Sequence, residues 1–145
     1  MTVVFDAKVL LAFAFDEPGA DVVEDWLDRV YDGDLDGYVS TINLAEFRYI
    51  AARERSPSQA DAYIKDLRDI GLTEYDIDDL WTAVSDLKTR YRIAIGDAYA
   101  IAAARDVDDG DRNVTLLVGA EDDYDTVQAD GNVTSIIERF RTRSA

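Results

Sequence analysis

The chain has 145 residues, 48% of them hydrophobic, which suits one folded domain with a sizeable core and excludes a disordered chain. It contains no Cys and no His, which excludes disulfides, Cys/His zinc sites, Cys nucleophiles and Ser–His machinery. A net charge of −16, from 31 acids against 15 bases, opposes loose adhesion to nucleic acid but leaves room for a local basic groove or for contact through a metal.

Chemistry at neutral pH is thereby left to carboxylates, hydroxyls, Lys or an ion held by oxygen. Oxygen-only ligand sets suit hard cations such as Mg²⁺ and Mn²⁺. Only Lys8, Lys65 and Lys88 are lysines, the other bases are Arg, and Asp far outnumbers Glu. Such an acidic surface is expected of a halophile's cytosolic protein. No apolar run approaches the ~20 residues of a membrane helix. Met1 to Asp6 lacks the basic start and long apolar core of a signal peptide, so the expected location is the cytoplasm.

In chain order, Thr2 to Phe5 is a short β-branched run, read as a buried strand that ends at Asp6. Ala7 to Phe15 is apolar and reads as a helix, followed by a turn at Asp16-Glu17-Pro18-Gly19. Val22, Val23, Trp26, Leu27 and Val30 recur at helical spacing, and Asp32-Gly33-Asp34 closes that helix. Tyr38 to Thr41 reads as a second strand and Ile42 to Ala52 as a helix. Ser56-Pro57-Ser58 caps a helix running to Ile70, stopped by Gly71. Leu72 to Tyr75 is a short strand, and Asp76 to Tyr91 an amphipathic helix.

Ile95 to Ala104 is small or apolar on every face past Asp97, so a helix there belongs in the interior. Gly96 breaks the preceding segment and Asp97 stands where that helix opens. After a loop at Asp108-Asp109-Gly110-Asp111, Val114 to Val118 is a continuous apolar strand of the kind buried on both faces. A weak last strand is expected near Asn132 to Ile137. Strands alternating with helices indicate an α/β layered fold with a mostly parallel sheet, in one domain over 1–145. Functional crevices of such sheets lie at the carboxyl ends of the strands.

Asp6, Glu46, Asp97 and Glu121 stand out by context, with Asp123 beside the last. Each fits a plain structural role. Asp6 can cap the first helix, and Glu46 follows Asn43 at capping-box spacing. Asp97 can cap the helix it opens, and Glu121 to Asp123 can be a solvated turn. Together they form a series: a strand-end acid, an acid early in a helix, Gly-Asp opening an apolar helix, and an acidic turn after a buried strand.

This order resembles the PIN domain, the ribonuclease fold of VapC-type toxins. The matching pieces are Val4-Phe5-Asp6-Ala7, Asn43-Leu44-Ala45-Glu46, Ile95-Gly96-Asp97-Ala98 and Leu117 to Tyr124. The resemblance implies a three-layer α/β/α sandwich and a metal-dependent endoribonuclease. It implies catalytic roles for Asp6, Glu46, Asp97 and Glu121, with Asp6, Asp97, Glu121 and Asp123 holding Mg²⁺ or Mn²⁺. Metal would position the scissile phosphate, activate a water and stabilise charge in an in-line displacement. A cognate antitoxin, an RNA substrate and a homodimer are implied as partners, and the halophilic composition points to a haloarchaeal source. RNA would be met by local arginines, with Arg53 and Arg55 at one helix end and Arg90 and Arg92 before Asp97 as candidates. Solvated charges balancing an acidic surface are the plain alternative for these.

The chain departs from the family pattern twice. Lys8 stands where Ser, Thr or Asn is usual, and Glu121 stands where Asp is usual. A competing reading is therefore a PIN-like binding module with weak or no catalysis. A phosphorelay receiver domain fits poorly. It calls for paired acids after the first strand and a Lys after a late one, and neither occurs.

Overall fold

Strand and helix alternate from the first residues. In order they are β1 (Thr2–Phe5), α1 (Ala7–Ala14), α2 (Ala20–Tyr31), β2 (Asp36–Ser40), α3 (Thr41–Glu54), α4 (Pro57–Ile70), β3 (Thr73–Tyr75), α5 (Trp81–Arg90), α6 (Ile95–Val107), β4 (Val114–Val118) and β5 (Ile137–Arg139). This is a computed structural model, and it describes residues 1–108, 113–119, 124, 125, 127 and 137–140. The strands form one sheet in the order β3-β2-β1-β4-β5. Every neighbouring pair among them is parallel.

Alternation along β1 explains the layers. Val3 and Phe5 enter a core shared with α1 to α4, where Leu10, Leu27, Phe47 and Leu67 are buried. Val4 points the other way, into a second core with Leu116, Val118 and the buried faces of α5 and α6. Successive side chains on a strand point to opposite faces, so a strand covered on both sides must be apolar throughout. This explains why Thr2 to Phe5 and Val114 to Val118 carry no polar alternation. The fold is an α/β/α sandwich around an all-parallel sheet.

Local signals set several boundaries. The Ser56 hydroxyl accepts the Gln59 N–H at the start of α4, Pro57 sits in its first turn, and Gly71 closes it at φ +118°. As expected of an all-apolar helix, Ala98, Ala100, Ile101 and Ala102 to Ala104 are buried. Tyr75 donates to Asp106 Oδ2 at 2.7 Å, which ties β3 to α6. Burial first and this acceptor second push its phenol up to about 12.

Several boundaries differ from expectation. The helix expected from Asp76 begins only at Trp81, because Asp76 Oδ1 captures the Asp78 N–H at 3.0 Å in a local turn. Thr41 opens α3 rather than ending β2, since Ser40 is the cap. The helix α6 begins at Ile95, ahead of Asp97, with Ala94 as its cap residue. The last strand lies at Ile137 to Arg139, later than expected, and 132–136 lie outside the described residues. No described helix is long and apolar enough to cross a membrane.

Candidate active site at the carboxyl edge of the sheet

In an all-parallel sheet the strands all end on one edge. Asp6 follows β1, the central strand, directly. Its backbone N–H donates to Leu117 O at 3.3 Å, which sets it beside the end of β4. Its carboxylate is buried, at 3% exposure, and Oδ1 accepts the Val9 N–H at 2.9 Å. The capping role expected for Asp6 is therefore realised. It does not exhaust the group, because an ionised carboxylate offers about four acceptor positions.

The neighbouring strand β2 ends at Ser40, which caps α3. Ser40 Oγ accepts the Asn43 N–H at 3.1 Å and donates to Asn43 Oδ1 at 2.5 Å. The capping pair is thus Ser40 with Asn43, not Asn43 with Glu46, and Glu46 lies one turn further into the helix. Asn43 Nδ2 donates to Gly96 O at 3.0 Å, which docks the first turn of α3 on the first turn of α6. Glu46 lies against the same glycine, since a Cβ on Gly96 would stand 3.1 Å from Glu46 Oε1.

Asp97 follows Gly96 in the first turn of α6, half-buried. It is not the cap residue, which corrects the plain role considered for it. A carboxylate there still meets the positive end of the helix dipole. The fold therefore brings Glu46 to the turn that carries Asp97, and sets Asp6 on the same sheet edge. Glu121 and Asp123 lie outside the described residues. Among the described residues no three acids gather closely enough to hold an ion by themselves.

The basic candidates fall into two places. Arg53 and Arg55 lie at the end of α3 opposite its Ser40 cap. Arg53 is exposed, pairs with Glu54 Oε1 at 3.2 Å and covers the Tyr49 ring. Arg55 lies 4.6 Å from the Phe15 ring centroid. With Lys8, Glu17 and Glu54 it borders a groove between α1 and α3 floored by Leu11 and Ile50. Lys8 is exposed there. Arg90 borders a second groove, between α5 and α6, with Asp86, Arg105 and Asp106, and Arg92 is exposed just beyond it.

Two residues that build this edge are not among the sequence candidates, Ser40 as the cap and Gly96 as a contact, and Asn43, expected as the cap itself, is instead the partner of Ser40. The Ser-x-x-Asn spacing was a usable cap signal. The contact of Gly96 with Glu46 had none, because 50 residues separate them.

The geometry can be set beside known proteins. The PIN domain family model matches residues 3–115. None of the curated protein sequences matches the chain. Among solved structures, the chain is similar to the complex of VapBC2 from Rickettsia felis bound to a DNA fragment from their promoter. There the identity is 16%, the TM-score 0.70, and 96% of this chain and 98% of that one are covered. A toxin–antitoxin complex from Klebsiella pneumoniae is similar at 14% identity and TM-score 0.67, covering 97% and 99%. The structure of FitAB bound to the IR36 DNA fragment is similar at 16% identity and TM-score 0.57, covering 98% of each chain.

Proposed function

The chain belongs to the PIN domain family, and on that premise we propose that it is a metal-dependent endoribonuclease, the toxin of a toxin–antitoxin pair. The observation that carries the reading is the Glu46 carboxylate seated on Gly96, beside Asp97, on the sheet edge where Asp6 ends the central strand. One of the similar structures is a toxin–antitoxin complex, which supports an antitoxin as partner. A second copy of the chain, an RNA substrate and a cytoplasmic location belong to the same reading. The whole chain, 1–145, is taken as one domain.

The donor set fits a hard divalent cation such as Mg²⁺ or Mn²⁺, being oxygen throughout. In this reading Asp6 and Asp97 hold the ion together with Glu121 and Asp123, and Glu46 completes the catalytic carboxylates. Such an ion keeps several waters and needs only one or two carboxylates from the protein. A bound ion supplies Lewis acidity at the scissile phosphate and lowers the pKa of a water. The chain's own residues orient the site. The Val9 N–H fixes one Asp6 oxygen, and the first turn of α6 offers its positive dipole end to an anion. Arg90 and Arg92, just before α6, are proposed to meet flanking phosphates, while Arg53 and Arg55, at the far end of α3 from the acids, are proposed to meet RNA further from the site.

The test is cleavage of a mixed single-stranded RNA substrate with Mn²⁺, with chelator, and by Asp97→Asn. Cleavage is expected only from the wild type with metal. No cleavage by the wild type with Mn²⁺ overturns the nuclease reading, and an Asp97→Asn rate equal to wild type removes Asp97 from the site. RNA binding without cleavage supports the binding-module alternative.

A further inference from the structure

Gly96 is the second residue of α6, a position where Ala would make the better helix. Its φ is not in the left-handed region, so the backbone does not call for glycine. The reason lies across the interface. The nearest atoms to a Cβ built there are all in the Glu46 carboxylate group, with Oε1 at 3.1 Å and Cδ and Oε2 at 3.5 Å. The other side of the same residue is also engaged, as its carbonyl accepts Asn43 Nδ2 at 3.0 Å.

Asn43 is held in the orientation that makes this donation. It is 1% exposed, and its Oδ1 is taken by the Ser40 hydroxyl at 2.5 Å. An amide whose oxygen is taken must present its NH₂ to the remaining acceptor. The Ser40 and Asn43 pair therefore fixes α3 to α6 at one point. The missing side chain of Gly96 lets the Glu46 carboxylate come in beside it.

The geometry points to Asn43 and Gly96 as positioning residues that seat the Glu46 carboxylate against the first turn of α6, one residue from Asp97. Neither touches the reacting atoms. The inference rests on the acidic-site reading above and adds what sets the spacing of two of its acids. A methyl at position 96 meets the far end of a flexible side chain, so the carboxylate yields and the helix survives.

The test is Gly96→Ala on the full-length protein, with two readouts. Calorimetric titration with Mn²⁺ is expected to show affinity about 10-fold weaker than wild type, the scale of outer-shell changes at metal sites. Thermal melting without metal is expected to rise more when Gly96→Ala is made in a Glu46→Ala background than in the wild type, because nothing then resists the added methyl. Asn43→Ala is expected to weaken Mn²⁺ binding in the same direction. Unchanged Mn²⁺ affinity in Gly96→Ala, or equal melting shifts in the two backgrounds, overturns the inference. A wild type that binds no Mn²⁺ overturns the acidic-site reading and this inference with it. The wild-type arm alone reports that case.

Discussion

Asp6 holds two jobs that different substitutions can separate. Its Oδ1 caps α1 through the Val9 N–H at 2.9 Å, and its charge, at 3% exposure, belongs to the proposed ion site. Asp6→Ala removes both. Loss of an Asp cap costs about 1 kcal/mol. At ~2.1 cal/mol/K of unfolding entropy per residue, a chain of 145 residues loses about 3 °C in Tm for each kcal/mol. Asp6→Asn keeps an oxygen for the Val9 N–H and removes only the charge. Asn caps as well as Asp, so its Tm should fall by no more than about 1 °C. Both variants should lose RNA cleavage in Mn²⁺ by at least about 100-fold, more than outer-shell substitutions cost at metal sites. Thermal melts without metal and initial cleavage rates with metal give the two numbers. If Asp6→Asn cleaves RNA at the wild-type rate, the carboxylate is only a cap. If it melts as low as Asp6→Ala, the assignment of the cap hydrogen bond is wrong.

Arg90→Gln with Arg92→Gln should weaken RNA binding without changing Mn²⁺ affinity, and should lower the salt slope of binding by about 1 to 2. An unchanged slope returns both to the role of solvated charges. Tyr75, raised to about 12, favours the folded state through its protonated form. That contribution is whole below pH 10, the ordinary phenol value, and is lost as pH climbs towards 12. Tyr75→Phe should therefore flatten the fall of Tm over that window, and a fall as steep as the wild type's refutes the assignment. Lys8 stands two residues past Asp6, exposed in the groove between α1 and α3. Lys8→Ser should tighten Mn²⁺ binding at low salt, with the gain vanishing near 1 M salt where charges are screened. Equal low-salt affinities leave Lys8 without a part in the site.

Much of the fold was legible because its signals are local. The apolar runs Thr2 to Phe5 and Val114 to Val118 announce strands buried on both faces. Ser56-Pro57 and Gly71 mark the ends of α4, and the small residues after Asp97 announce an interior helix. The start of α5 is not legible because Asp76 competes with the helix for a backbone N–H, a choice that hydrophobic spacing does not register. The cap of α3 is hidden because Ser40 is also the last residue of a strand, and a β-branched run draws Thr41 into that strand. For the proposed site, places after strands and in helix turns mark the acids as candidates. The contact that joins α3 to α6 could not be named, because a glycine in a sequence reads as a break. Its purpose, room for the Glu46 carboxylate, exists only once the helices are packed.

The central claim is that acids on one sheet edge hold a divalent cation. Anomalous diffraction from crystals of the protein grown with Mn²⁺ tests it most directly. The expected result is a peak at the carboxyl edge of the sheet, about 2.1 Å from oxygens of Asp6 and Asp97, with Glu121 or Asp123 completing the shell. No peak there at saturating Mn²⁺, or a peak held by other residues, contradicts it.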